Sequence, residues 1–321
     1  MRLLVLGGTT FLGRHTVEAA LAEGHEVTIF TRGKTNAELY PEAEHLTGDR
    51  DGDLGALAGR TWDGVVDTSG YVPRVVRRSA ELLRGSVGRY VFVSSISAYA
   101  DPSRPLEESS PLAPLEDPFS ENVEADYGAL KAACEHVVEE LMGDRGASVR
   151  AGLIVGPHDP TDRFTYWPRR LAEGGEVLAP GDPAAPVQFV DARDLGAWLV
   201  RLAEDGPSGA LNATGPAAPL TLGELLDEAN EAIGAGARLV WVDDAALLDA
   251  QVGPWLELPL WLPGEEHAGM MRADNRRAIE AGLRFRPVAE TVLDTLAWSS
   301  EAGEQRPTLT REKERGLLAR A

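Results

Sequence analysis

Short apolar runs alternate with helical periodicities over the first half of the chain. Leu3-Leu4-Val5-Leu6 has the pattern of a buried strand and is broken by Gly7-Gly8; Val17, Ala20 and Leu21 then recur at helical spacing as far as Gly24. Further strands are predicted over Glu26 to Phe30, Glu44 to Gly48, Trp62 to Asp67 and Arg89 to Val93, with a helix from Val75 to Leu83. Units of this length, in this alternation, predict an α/β chain with a doubly wound parallel sheet that binds ligands at its carboxyl edge.

Asp101 to Pro118 is rich in Pro, Ser and Glu and predicts a surface loop. Ala125 to Met142 predicts a strong helix, with Leu130, Ala133, Cys134, Val137, Val138 and Leu141 on one side. A sixth strand is expected from about Ser148 to Val155. Beyond it, Pro, Trp and Gly interrupt the alternation until a strand at Val187 to Val190, a helix through Leu202 and a short seventh strand at Ala210 to Ala213. Thr221 followed by Glu224 is a capping-box signal for a helix start. The remainder predicts an irregular lid and a last helix from about Val288 to Trp298.

Composition narrows the function classes. The 321 residues carry a net charge of −20, which argues against a nucleic-acid partner because phosphate backbones need clustered cations. No run is long and apolar enough for a membrane span, and no secretory segment is read at the start. Cys134 is the only cysteine, so no internal disulfide forms and a cytoplasmic setting is expected; in a helical stripe it reads as core. Asp49, Asp51 and Asp53 lack the glycine and terminal glutamate of a calcium loop, and the histidines have no ligand spacing, so no metal is expected.

Candidate chemistry gathers at two places. Gly7-Gly8-Thr9-Thr10-Phe11-Leu12-Gly13 lies between a strand and a helix, where small residues let backbone N–H groups approach a dinucleotide pyrophosphate. The outer glycines of that turn are kept, with Thr10 standing where a middle one is usual. Tyr127 and Lys131 lie one helical turn apart, a spacing expected by chance about 0.06 times with six tyrosines and three lysines. An adjacent ammonium favours a phenolate, so the pair suits acid–base work; the alternative is a solvated surface pair. Ser94 and Ser95 close the fifth strand, where a hydroxyl can polarise a carbonyl or merely end the strand.

These motifs, with Val93-Ser94-Ser95-Ile96-Ser97-Ala98-Tyr99, resemble the extended or atypical branch of the short-chain dehydrogenase/reductase superfamily, commonly labelled NAD-dependent epimerase/dehydratase. The resemblance implies a Rossmann-type domain over residues 1–155 and 187–215 and a smaller, mostly C-terminal substrate-binding domain over 156–186 and 216–321. It implies Tyr127 as general acid/base, Lys131 as its pKa-lowering partner on the ribose, and Ser95 as carbonyl anchor. Asp49, with Arg50 beside it, is matched to the adenine contact. Thr68, Ser69 and Gly70 would pass the cofactor after strand four, and Ala151, Gly152 and Leu153 would flank the nicotinamide. A homodimer through the helix bearing Lys131 is also implied.

The second strand ends Phe30-Thr31-Arg32-Gly33-Lys34, with no acid for an adenosine ribose and two cations for a 2′-phosphate. NADP(H) is therefore expected over NAD. Ile96-Ser97 replaces the Asp-Glu pair of the superfamily's sugar-nucleotide dehydratases, and Val187 stands where many sugar-nucleotide enzymes place an arginine on the diphosphate. Tyr71, Ser97, Tyr99, Tyr166 and Trp167 are the candidate substrate contacts. The segment Asp162 to Arg170 either grips a ligand with rings and guanidinium groups or packs its rings inward; Met270 and Met271 read as core. Three functions follow: a reductase of a ketone or secondary alcohol in a small molecule; a sugar epimerase with retained cofactor; and a nucleotide-sensing or RNA-associated module. The last rests on the likeness of Gly7 to Gly13 to chloroplast stem-loop-binding proteins.

Overall fold

The computed structural model describes residues 1–302 and 308–320. In chain order its strands are β1 (Arg2–Leu6), β2 (Glu26–Thr31), β3 (Glu44–Thr47), β4 (Trp62–Asp67), β5 (Val87–Ser95), β6 (Gly146–Ala151), β7 (Leu153–Val155), β8 (Glu176–Pro180), β9 (Phe189–Asp191), β10 (Gly209–Ala213) and β11 (Arg238–Val242). The helices are α1 (Phe11–Ala22), α2 (Pro73–Leu83), α3 (Tyr127–Met142), α4 (Tyr166–Ala172), α5 (Ala192–Asp205), α6 (Leu222–Ile233), α7 (Asp244–Asp249), α8 (Arg276–Glu280), α9 (Val288–Glu301) and α10 (Arg311–Leu318).

Seven strands form one parallel sheet in the order β10-β6-β5-β4-β1-β2-β3, a Rossmann-like arrangement. The direction of winding reverses between β1 and β4, which opens a crevice at their carboxyl ends. Both faces are covered, so the strands are nearly continuous apolar runs: Leu3 to Leu6 are fully buried, β1's Leu3 and Val5 packing toward α1 and α5 and its Leu4 and Leu6 toward α2 and α3. A separate core gathers residues 153–189 with 222–317, including Phe164, Trp167, Leu226 and Trp261.

Two expectations about strands need correction. The sixth strand does not run through to Val155. It stops at Ala151, where the Gly152 N–H still reaches the Ala213 carbonyl (3.0 Å), and Leu153–Val155 pairs with Phe189–Asp191 in a small sheet of its own. The strand expected at Val187 to Val190 is thus displaced to Phe189–Asp191 and stands outside the main sheet. The sequence also hid β8 and β11, a two-stranded parallel sheet of the C-terminal core, because Gly174-Gly175 and Pro180-Gly181 flank β8 so closely. The capping box is present, Thr221 and Glu224 each holding the other's backbone N–H. Among the described residues no helix is long and apolar enough to cross a membrane.

Candidate functional site

The turn from β1 into α1 forms one wall of the crevice. A Cβ on Gly13 would stand 2.6 Å from the Gly8 backbone nitrogen, so only glycine lets the first helical turn sit against the loop. Thr10 caps α1 without a side-chain hydrogen bond, which leaves the amides of the first turn for a ligand, as a pyrophosphate site requires. Gly7, Thr9, Thr10, Arg32, Lys34, Asp49, Arg50, Ser69 and Tyr71 line a cleft of about 340 Å³ across these strand ends. Phe11, Leu12 and Gly13 form the first turn of α1 behind it, and Thr68 Oγ1 is held on the Leu6 carbonyl at 3.1 Å. The cradle fits a dinucleotide.

Arg50 lines the cleft with its charge already paired. Its guanidinium is buried and turned into the sheet, forked onto Asp67 at 2.6 and 2.7 Å, with Ser79 at 2.7 Å. Tyr90 donates to the same carboxylate at 2.8 Å. An arginine so engaged is a structural clamp that lines the cleft while tying the end of β3 to β4, β5 and α2.

A second hollow, about 170 Å³, is lined by Ser95, Ser97, Tyr127, Ala151, Gly152 and Leu153. Helix α3 reaches it because Gly128 follows Tyr127: any Cβ there would strike the Ser97 carbonyl. Lys131 lies between the two hollows, its ammonium 4.6 Å from the centre of the Tyr71 ring and 6.0 Å from that of Tyr127. It donates to the carbonyls of Gly70 (2.6 Å) and Val93 (2.9 Å) and is only 3% exposed. Burial drives its pKa down to about 8. Burial likewise raises the Tyr127 phenol, and Tyr71 adds to the rise; the Ser95 hydrogen bond and the charge of Arg163 oppose it. The expected ammonium–phenol relationship is therefore altered: Lys131 faces the ring and serves two carbonyls.

Three expected substrate contacts are corrected. Tyr99 is 4% exposed and turned from the hollow, donating to Asn212 (2.7 Å) and accepting from Arg150 (2.9 Å). That arginine is itself forked onto the buried Glu135, which accepts from Ser94. Tyr166 and Trp167 pack inward in the C-terminal core, Trp167 donating to the Pro259 carbonyl at 2.8 Å. The inward-packing alternative for that segment holds because α4 presents its rings to α6 and α9.

Several lining residues escaped the sequence reading as site residues: Ile96, Ile154, Gln188, Trp255, Met270 and Met271; Arg163, one of the cations of the ring-rich segment, also lines the hollow. Met270 and Met271 read as core, and Met271 is buried in the C-terminal core while the pair also lines the hollow. Only the mix of rings and guanidinium groups around Arg163 hinted at a contact; Trp255 arrives from over 90 residues further along the chain.

A family model described as NAD dependent epimerase/dehydratase matches residues 3–75 and 72–213, more than half of the chain. The chain belongs to this family. The family is one of NAD-dependent epimerases and dehydratases. Among relatives, 2'-dehydrokanamycin reductase of Streptomyces kanamyceticus is 28% identical over 250 residues, covering 73% of this chain and 67% of its own. The chloroplast stem-loop binding protein of 41 kDa b from Arabidopsis thaliana is 26% identical over 215 residues, or 60% of this chain; the match spans only about half (53%) of that protein. Among solved structures, Bordetella bronchiseptica WbmH in complex with NAD+ superposes with a TM-score of 0.67 at 20% identity, covering 94% of this chain and 99% of that one. A UDP-N-acetylglucosamine 4-epimerase from Bacillus cereus gives 0.67 at 18% identity, covering 95% and 98%. At these identities the family structures establish the fold.

Proposed function

We propose that this enzyme is an NADP(H)-dependent reductase of a ketone, or dehydrogenase of the matching secondary alcohol, in a small molecule. The observation that carries the reading is the meeting of Ser95 and Tyr127 in one hollow, with Lys131 linking it to the dinucleotide cleft. A bound nicotinamide dinucleotide supplies or takes the hydride. The chain's own residues do the rest. Ser95 holds the carbonyl oxygen, and Tyr127 exchanges a proton with it. Lys131 fixes the carbonyls of Gly70 and Val93 and so sets the spacing between cleft and hollow. Ile96, Leu153, Trp255 and Met271 give the hollow apolar walls that exclude water.

Arg32 and Lys34 at the cleft, with no carboxylate ending β2, support a 2′-phosphate and hence NADP(H). The reductase reading is supported by the Streptomyces relative and by Val187, which is buried and leaves the sugar-nucleotide position without a cation. The second reading, an epimerase that keeps its cofactor, is favoured by the solved epimerases sharing the fold. A single assay separates the two. Purified enzyme is given NADPH and a panel of ketones, and reduced-nicotinamide absorbance is followed; a fall that tracks ketone consumption is expected. Tightly retained cofactor with sugar turnover and no net absorbance change overturns the reductase reading. The RNA-associated reading is opposed by the net charge of −20.

A further inference from the structure

Lys131 is committed to two carbonyl oxygens and meets Tyr127 through its ring. A second cation stands in the hollow itself. Arg163, on the loop between β7 and α4, lines it together with Ser95, Tyr127, Gln188 and Trp255, and no other Lys or Arg does so among the described residues. Its Nε donates to Thr161 Oγ1 at 2.9 Å, which aims the guanidinium; no described carboxylate lies within ion-pair distance of it. Asp159, buried on the same loop, is engaged by the N–H and hydroxyl of Thr161 at 2.8 and 2.6 Å.

We propose that Arg163 is a positioning residue for the acid–base work of Tyr127, its guanidinium supplying from the substrate side the positive charge that steadies the phenolate. The inference rests on the reading of Tyr127 as proton donor. In the reducing direction the Tyr127 O–H bond breaks and its proton goes to the carbonyl oxygen while hydride adds to the carbon. The phenol is left as phenolate until solvent returns a proton. A fixed cation in the same hollow stabilises that state, and a guanidinium keeps its charge over the whole working pH range. The groups bearing on the phenol are Tyr71, which opposes ionisation, and Ser95 and Arg163, which favour it, with Lys131 against the ring.

The test is a tyrosinate absorbance titration of the full chain without substrate. Wild type, Arg163→Gln and Arg163→Lys are each measured with and without Tyr127→Phe, so that the difference isolates one phenol. Tyr127 is expected to titrate about one pH unit higher in Arg163→Gln, with most of that shift recovered in Arg163→Lys. An Arg163→Gln phenol that titrates with the wild type overturns the proposal. Should Arg163→Gln not fold, Thr161→Val releases the Nε anchor and is expected to shift the phenol upward by a smaller amount; no shift there overturns the proposal equally. The titration needs no turnover. A shift in a protein that reduces no carbonyl compound removes the reductase reading alone, and activity lost in Tyr127→Phe without a titration shift removes the role of Arg163 alone.

Discussion

Lys131 carries a charge that the fold tolerates at a cost, and that cost is measurable by pH. Its pKa falls from 10.5 to about 8 on burial, with Cys134, Asp67, Arg50 and Glu135 as charged or titratable neighbours. A difference of about 2.5 pH units at 1.36 kcal/mol each is about 3 kcal/mol of stability withheld below pH 8, where lysine is charged in both states. Between pH 8 and 10.5 the unfolded chain holds the proton that the folded chain has released, so stability rises with pH through that window. Lys131→Met removes the titration while keeping the volume. Urea unfolding of both proteins at about pH 7 and about pH 9.5 reads the effect: the wild type gains roughly 2 kcal/mol relative to the variant. Both proteins carry Cys134→Ala, because Lys131 biases that buried thiol; the remaining titrations are common to both chains and cancel. A difference that stays flat across these pH values refutes the claim that the ammonium is desolvated, and with it the account of why Lys131 serves carbonyls.

Three further perturbations test the rest of the site. Asp67→Ala leaves the buried Arg50 guanidinium unpaired and is expected to cost about 3–5 kcal/mol in denaturant unfolding, whereas Arg50→Met with Asp67→Leu costs less; equal losses would deny the clamp. Gly13→Ala places a Cβ 2.6 Å from the Gly8 nitrogen, so NADPH affinity by fluorescence titration should drop at least about tenfold while the far-ultraviolet dichroism is kept. Tyr99→Phe should lose about 1–2 kcal/mol of stability, because Arg150 and Asn212 lose a partner, and leave KM for a ketone substrate unchanged; a raised KM would return Tyr99 to the substrate site.

Local signals carried most of the nucleotide half. The apolar run Leu3 to Leu6 and the glycine turn are short-range patterns that fall at β1 and at its junction with α1, whereas the Tyr127 and Lys131 spacing sets both on α3 without fixing the partners of the ammonium, which are the Gly70 and Val93 carbonyls. The errors have a common cause. Residue type and position at strand ends or in a ring-rich segment point Arg50, Tyr99 and Trp167 toward a ligand. Their orientation, though, is decided by buried partners, Asp67, Asn212 and the Pro259 carbonyl, between 17 and 113 residues away. The break between β6 and β7 has the same origin: Leu153–Val155 leaves the sheet to pair with residues 189–191. The walls of the hollow at Trp255, Met270 and Met271 come from a region without regular periodicity, so nothing local placed them.

The central claim is that Tyr127 gives its proton to a carbonyl oxygen while hydride is delivered to the carbon. The most direct measurement follows deuterium from labelled NADPH into product, for wild type and for Tyr127→Phe. The account predicts deuterium on the carbinol carbon with wild-type enzyme, and in Tyr127→Phe an unchanged NADPH affinity with turnover lowered by roughly a hundredfold or more. Labelled carbinol formed by Tyr127→Phe at the wild-type rate would contradict it.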